Sequence, residues 1–166
     1  MNATAQQPLS LEIAPRWEEV SGVRRATARF LGDVGLSRDV VDAVAMVACE
    51  LTENATKYGC FNDESQPQIA VRVAVGGGDV MVEVRNPVGP AADENLNQLD
   101  RMVQWIRGYQ DPFEAYLQRL KELSVEGLES TVSRLGLVRI AYEGQSILDF
   151  YVNEENVLAV SAIRRL

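Results

Sequence analysis

Two runs of alternating apolar and polar residues, joined by three glycines and an aspartate, constrain the fold of this chain most strongly. The runs are residues 69–75 (IAVRVAV) and 80–85 (VMVEVR), with Gly76, Gly77, Gly78 and Asp79 between them. Alternation with a period of two is typical of strands that bury one face. Short glycine-rich links favour tight hairpins. The sequence therefore predicts an antiparallel strand pair in this region.

The other periodic segments predict helices grouped between strands. Strands are predicted at 9–14, 147–152 and 157–163, and helices at 15–31, 38–58, 91–123 (broken at Asp111-Pro112) and 129–142. Helices that cluster between antiparallel strands indicate an α/β (α+β) two-layer sandwich, with a mixed, mostly antiparallel sheet covered on one face by helices. The length suits one domain that spans residues 1–166.

Charge and residue content argue against several functions. The net charge is −8, whereas a nucleic-acid surface normally needs a basic stripe. The chain has no histidine, which excludes a kinase that phosphorylates its own histidine, a histidine-ligated metal and a histidine-based triad. It has no apolar run of membrane-spanning length and no signal peptide. We expect a cytoplasmic protein with neither a nucleic-acid nor a membrane partner.

The two cysteines are expected to be reduced thiols. If Cys49 lies within a helix and Cys60 just beyond its end, they are about 16 Å apart at about 1.5 Å per residue. This separation is too large for a disulfide. Two free thiols also agree with a cytoplasmic location.

A polar stripe interrupts the most apolar predicted helix. Glu50, Asn54 and Lys57 stand at positions i, i+4 and i+7 of this helix and therefore share a face, with Glu53 beside them. One interpretation is a solvated face of an amphipathic helix. The other is a site for a magnesium nucleotide, in which an amide oxygen binds the cation, a carboxylate accepts a proton and Lys57 faces phosphate.

The segment ELTENATKYG resembles the N-box of the GHKL (Bergerat-type) ATP-binding superfamily, in the form found in anti-sigma-factor serine kinases. Glu50, Asn54, Ala55, Lys57 and Tyr58 match its pattern. The resemblance implies a histidine-kinase-like ATPase fold that binds Mg-ATP. It further implies that Asn54 holds the magnesium and that Glu50 is the general base toward a partner's serine.

The first glycine box of this superfamily is only partly present. Its pattern requires a strand that ends in Asp and is followed by Gly-x-Gly, which contacts adenine. Here Asn86 stands in place of the Asp, and Gly89 is the one glycine. Asn86 can still accept a hydrogen bond from the adenine amino group, but without the charge that strengthens such bonds. A plain turn after a strand is the alternative interpretation.

The second glycine box is also incomplete. Gly136 and Leu137 match it, whereas Arg134 or Leu135 occupies the position of another glycine. The superfamily binds phosphate there through backbone amides at a helix start. Arg134 and Arg139 can instead supply charge to phosphate, although Arg139 is equally interpreted as an ordinary surface residue.

A helical insert at about 91–130 takes the place of the mobile ATP lid of these relatives. Its bulky apolar residues are expected either to pack on the core or to form a partner surface. They are Trp105, Ile106, Tyr109, Phe113, Tyr116 and Leu117.

Three functions remain open at this point. The first is an ATP-binding regulator that resembles anti-sigma-factor serine/threonine kinases and phosphorylates or sequesters a partner, such as a STAS-domain antagonist or a sigma factor. The second is a non-catalytic interaction module with a degenerate nucleotide site. The third is an ATPase or a sensor-kinase catalytic domain. A homodimer is also expected from the resemblance, because relatives often dimerise.

Overall fold

The computed structural model describes residues 6–126 and 135–166, which contain five strands and five helices in the predicted order. They are β1 (Leu9–Ile13), α1 (Trp17–Val34), α2 (Arg38–Tyr58), β2 (Ile69–Gly76), β3 (Asp79–Pro87), α3 (Asp93–Arg107), α4 (Pro112–Glu126), α5 (Leu135–Tyr142), β4 (Ser146–Val152) and β5 (Val157–Arg165). The strand order in the sheet is β1-β2-β3-β5-β4. Every pairing among the described strands is antiparallel, so the predicted two-layer α+β fold is confirmed, with a sheet that is antiparallel rather than mixed.

The predicted hairpin forms the connection between β2 and β3. The two strands pair from Ala70 with Arg85 to Gly76 with Asp79. The two linking glycines, Gly77 and Gly78, have φ angles of 63° and 84°. Tight two-residue turns of this kind need positive φ at both positions. Glycine adopts that conformation without steric cost, which explains the run of glycines.

The core lies between the sheet and the helices. Val71, Val73, Val82 and Val84 alternate along the central hairpin and are each at most 1% exposed. Residues between them, such as Arg72, lie on the opposite, exposed face. Each fully buried valine contributes roughly 1.5–3 kcal/mol. The valine-rich face of α2 packs against this layer, as its periodicity predicts.

Gly59 ends α2, but not through a left-handed turn. Its φ and ψ are −68° and 159°, an extended conformation that any residue can adopt. A Cβ atom at this position would collide with the Phe61 ring and the Ala55 carbonyl oxygen. The glycine is therefore required by the close approach of Phe61.

The helical insert packs on the rest of the fold. Asp111 caps α4 as predicted, because its carboxylate accepts a hydrogen bond of 2.9 Å from the Phe113 amide. The rings of Phe113 and Tyr116 lie 5.0 and 5.3 Å from the Tyr142 ring of α5. Arg107 of α3 donates a 2.6 Å hydrogen bond to the Leu148 carbonyl of β4. The last part of the predicted insert and the predicted start of α5 at Glu129 lie outside the described residues.

Candidate functional site

The polar residues of α2 face three different environments, although they share one side of the helix. Asn54 lines an enclosed apolar cavity, and Glu50 lines an open groove. Lys57 is exposed and lines neither space; its ammonium lies 5.2 Å from the centre of the Tyr58 ring. Glu50 and Asn54, which the sequence groups on one helix face, thus line two adjacent spaces. Lys57 lies apart from both.

The Glu50 carboxylate is held by α5. The Arg139 Nη1 atom donates a hydrogen bond of 2.6 Å to Glu50 Oε1. The same guanidinium contacts Glu143 Oε2 through Nε at 3.2 Å and Nη2 at 3.1 Å, which fixes its orientation. Gly136 lies so close that a Cβ atom there would overlap Glu50 Oε2. A larger residue at position 136 would therefore displace the Glu50 carboxylate from its contact with Arg139.

The environment of Glu50 makes its carboxyl harder to ionise than an exposed one. Burial, the largest cause, raises the pKa of the Glu50 carboxyl above its ordinary value of 4.5. Arg139 opposes this change, whereas Glu53 and Glu143 add to it. Carboxylates that act as general bases have pKa values raised by burial in the same way. Only 16% of the Glu50 side chain is exposed, which leaves one small opening toward the groove.

The apolar cavity lies between α2, the sheet, α3 and the start of α5. It is lined by Leu51, Asn54, Ala55, Tyr58, Val84, Asn86, Val88, Ala92, Asn95, Leu96, Leu99, Leu137, Leu158 and Val160. Its volume is about 60 Å³, whereas pockets that hold drug-sized ligands usually have about 300–1,000 Å³. An adenine nucleotide therefore requires this cavity to enlarge.

Asn86 is a buried polar residue of the cavity lining. It is 2% exposed, and its amide nitrogen donates a 3.1 Å hydrogen bond to the Pro87 carbonyl. The remaining polar atom of this side chain is the acceptor Oδ1. This acceptor lies in the wall of a mostly apolar cavity.

Three residues of the cavity lining come from the first turns of α3 and were not predicted from the sequence. They are Asn95, Leu96 and Leu99. Their spacing of three and four residues is the signal that predicts a helix with one apolar face, but it does not indicate which surface that face covers. This part of α3 forms one wall of the cavity.

The two glycine boxes differ in where their residues lie. Leu137 lines the apolar cavity, whereas Gly136 contacts Glu50. Gly89 does not line the cavity, and a Cβ atom there would stand 2.9 Å from Cys60 Sγ. Packing against Cys60 therefore accounts for Gly89. Arg134 lies outside the described residues.

A magnesium ion would have few protein ligands at this site. Within residues 6–126 and 135–166, no cluster of acidic or cysteine side chains is suited to hold a metal. Magnesium usually binds one or two protein oxygens together with waters and substrate phosphates. The Asn54 amide oxygen at the cavity wall fits that sparse arrangement.

The two cysteines do not pair with each other.

The open groove runs between α1, α2 and α5 and has a volume of about 670 Å³. We call it the acidic groove. It is lined by Trp17, Val20, Ser21, Arg24, Asp42, Ala43, Met46, Cys49, Glu50, Glu53, Arg139 and Glu143. The sequence indicated Glu50 and Glu53 but not the residues from α1. Arg139, whose side chain is 36% exposed, binds Glu50 through its guanidinium.

The fold and this site define a histidine-kinase-like ATPase domain. Residues 13–111, more than half of the chain, match the sequence profile of the histidine kinase-like ATPase domain family, and the chain belongs to that family. This confirms the superfamily that the N-box resembles. No curated protein sequence matches the chain.

Solved structures share the fold at low sequence identity. A chain of the SiaB–SiaC complex from Pseudomonas aeruginosa superposes with a TM-score of 0.71 at 19% identity, covering 93% of this chain and 88% of that one. The structure of the RsbU and RsbW domains of Rv1364c from Mycobacterium tuberculosis superposes with a TM-score of 0.57 at 16% identity. That match covers 97% of this chain and 33% of the longer Mycobacterium protein.

In the part of the chain that the structure describes, no helix has both the length and the apolar character needed to cross a bilayer.

Proposed function

We propose that the protein is an ATP-binding regulator that phosphorylates or sequesters a protein partner, in the manner of anti-sigma-factor serine/threonine kinases. One observation carries this proposal: Glu50 and Asn54, one helical turn apart, face two adjacent spaces. The apolar cavity on the Asn54 side suits a nucleotide. The open groove on the Glu50 side suits the acceptor.

The residues around the cavity fit the parts of a nucleotide. Asn86 would accept a hydrogen bond from adenine, Leu137 would contact its ring and Asn54 would hold magnesium. Bound Mg-ATP would supply the phosphoryl group. Glu50 would accept the proton of a serine or threonine hydroxyl that enters from the groove, and phosphoryl transfer needs little other machinery than such positioning. We further propose a supporting role at the edge of this site for Lys57, Gly89 and Gly136.

In the present arrangement, the first turns of α3 must move before a nucleotide binds. Leu96 and Leu99 line the cavity from the first turns of α3, and the cavity is too small for an adenine nucleotide. The last turn of α3 is held by Arg107 on β4. We expect the first turns to move while the last turn stays in place, and we regard residues 91–130 as the lid of one domain that spans residues 1–166.

The comparisons support a protein partner of the partner-switching type. One similar structure is a SiaB–SiaC complex, and the other contains RsbU and RsbW domains. A STAS-domain antagonist or a sigma factor is the partner that we propose, together with a cytoplasmic location and a homodimer. Analytical ultracentrifugation over a tenfold concentration range tests the dimer.

The decisive experiment is calorimetric titration with ATP and ADP, with and without magnesium. Magnesium-dependent binding that is lost in Asn54→Ala supports the proposal. Glu154→Ala, an exposed change on the β4–β5 turn, is the control and should bind as the unmodified protein does. Absence of heat at millimolar nucleotide, with the protein folded, overturns the kinase proposal.

A non-catalytic interaction module is the second candidate, and two observations favour it. The cavity, which α3 helps to line, has a volume of only about 60 Å³, and Gly89 serves packing against Cys60. Phosphate transfer to a purified partner from radiolabelled ATP separates the two candidates. In the kinase, Glu50→Gln abolishes transfer while nucleotide binding persists.

A further inference from the structure

The face of the sheet opposite the helices carries bulky apolar side chains that contact solvent. The helices pack on the face with the buried valines. On the opposite face Ile147 is 68% exposed, Tyr151 is 49% exposed and Ile163 is 40% exposed. We call this surface, formed by the strand residues that alternate with the buried ones, the open face. Contiguous apolar groups on such a surface indicate an interaction site.

The strand register arranges the side chains of the open face in rows across β2, β3, β5 and β4. Ala74 pairs with Met81, Met81 with Ile163, and Ile163 with Ile147, which gives one continuous apolar row. The next two rows are, in the same strand order, Arg72, Glu83, Ser161 and Asp149, and then Ala70, Arg85, Ala159 and Tyr151.

The apolar row is self-complementary about a line that runs parallel to the strands, midway between β3 and β5. A two-fold axis along this line would lay β3 on β5, and β2 on β4, of a second copy. Met81 would then meet Ile163 of the second copy, and the exposed Ile147 would meet the small Ala74. Two sheets about 10 Å apart pack through such interdigitated contacts. Self-complementarity of this kind is the requirement for a symmetric dimer.

The charged row has the same symmetry. Arg72 and Asp149 lie three strands apart in the sheet. At about 4.8 Å per strand this is about 14 Å, so the two side chains do not pair within one copy. Asp149 contacts Arg107 at 3.7 Å and is still 70% exposed. About the same axis, Arg72 of each copy would face Asp149 of the other.

The charges also select this axis over its neighbours. Glu83 binds Arg85 at 2.7 Å within each copy. A two-fold axis placed on β3 would set Glu83 against Glu83 of the second copy. An axis placed on β5 would set Glu83 against Asp149. The line between β3 and β5 avoids both contacts between like charges, because Glu83 then faces the neutral Ser161.

The edge of the sheet at β4 is a poorer surface for a second copy. β4 is the last strand of the sheet. Arg107 donates a hydrogen bond of 2.6 Å to the Leu148 carbonyl, and the Asp149 carboxylate accepts one of 2.9 Å from the Phe150 amide. These side chains occupy backbone groups that an added strand would need. A second copy therefore fits the open face better than this edge.

The size of the open face predicts a reversible dimer. Four strands about 4.8 Å apart and three rows about 6.8 Å apart cover roughly 400 Å² on each copy. Standard interfaces bury about 800 Å² per partner. Dissociation of the dimer should therefore be measurable at micromolar concentrations.

We propose that two copies of this chain associate through their open faces, about a two-fold axis that runs along the strands between β3 and β5. This inference assigns a surface to the homodimer and rests on that part of the proposed function. The apolar cavity and the acidic groove lie on the helix side of the sheet. Both spaces would therefore remain accessible in each copy.

The first test is sedimentation equilibrium of the full chain without nucleotide, from about 1 to about 500 μM. Ile147→Lys should weaken self-association at least about tenfold, because it buries an ammonium group against the apolar row of the second copy. Val125→Lys, at an 88% exposed position on α4, adds the same charge and should leave self-association unchanged. Circular dichroism verifies that both variants are folded.

The second test exchanges the charges that face each other. Arg72→Glu alone and Asp149→Arg alone should each weaken self-association about tenfold at low ionic strength, because both reciprocal contacts then join like charges. An equimolar mixture of the two variants should form a mixed dimer with nearly the parental affinity, since both contacts again join opposite charges. Such a recovery cannot arise from a change within one chain.

Loss of the dimer in Ile147→Lys but not in Val125→Lys, with recovery in the mixture, supports the open face. A dimer that Ile147→Lys leaves intact, equal weakening by both lysine variants, or a mixture no stronger than its components overturns it. A monomer at every concentration overturns the homodimer as well. Nucleotide titration of the same protein tests the kinase separately, so the failure of one proposal is distinguishable from the failure of the other.

Discussion

The ion pair between Arg139 and Glu50 provides the sharpest test of the site geometry. Arg139→Gln removes the cation that contacts Glu50 Oε1 at 2.6 Å. Hydrogen bonds to charged groups contribute about 1.5–3 kcal/mol, whereas exposed ion pairs contribute about 0.2–1 kcal/mol. The Glu50 side chain is 16% exposed and that of Arg139 is 36% exposed. We therefore expect an intermediate loss of about 1–2 kcal/mol in the free energy of unfolding at neutral pH.

The loss should depend on pH with a defined sign. Burial raises the folded-state pKa of Glu50 above 4.5, so the folded protein holds this proton more tightly than the unfolded chain does. This carboxyl therefore lowers stability as the pH rises from 4.5 through its folded pKa. Arg139→Gln removes the nearby cation that lowers the Glu50 pKa. The folded-state pKa then rises further, and the pH range over which stability falls extends upward. The difference between variant and parent should be small near pH 4.5 and should grow as the pH rises through the folded-state pKa of Glu50.

Urea unfolding monitored by circular dichroism at pH 4.5 and 7.5 measures this effect. Glu50→Gln provides the matched background, since a neutral amide no longer needs the cation. In that background Arg139→Gln should cost clearly less, which gives a measurable coupling energy. An equal cost in both backgrounds, with no pH dependence, would refute the contact between Arg139 and Glu50.

Four further predictions follow from packing. Gly136→Ala should destabilise the fold by about 1–3 kcal/mol, because its methyl group overlaps the facing carboxylate. Gly22→Ala in mid-α1, where nothing lies within 4 Å, should instead stabilise by about 0.5–1 kcal/mol, and thermal unfolding of the two variants checks both signs. Leu96→Ala with Leu99→Ala should tighten ATP binding in calorimetry, since these side chains form a wall of the small cavity and their truncation enlarges it; unchanged or weaker binding would show that the first turns of α3 do not obstruct the site. Gly59→Ala should lower the melting temperature, because its Cβ would meet the following aromatic ring.

Local sequence signals predicted most of the fold correctly because they arise from short-range physics. The glycines at 77 and 78 specify a tight turn, and Asp111 specifies the start of α4. The alternation in β2 and β3 specifies which side chains are buried. Each of these signals depends on neighbours within a few residues.

The partners of the site residues could not be predicted in the same way. Arg139 and Glu50 are 89 residues apart, and helical periodicity specifies a face without indicating what covers it. For the same reason Glu50, Asn54 and Lys57 share one side of α2 but face a groove, a cavity and solvent. The placement of α5 and α3 against α2 decides these environments.

The placement of α5 also explains why Gly136 and Leu137 suit a site whose glycine boxes are incomplete. Leu137 forms part of the wall of the apolar cavity, while Gly136 and Arg139 contact Glu50. This short helix therefore contacts both the space proposed for the nucleotide and the carboxylate proposed as the base. Its end carries Tyr142, which stacks on the aromatic residues of α4. A displacement of α4 would thus act on α5 directly, and α5 cannot shift without altering the environment of Glu50 and the wall of the cavity together.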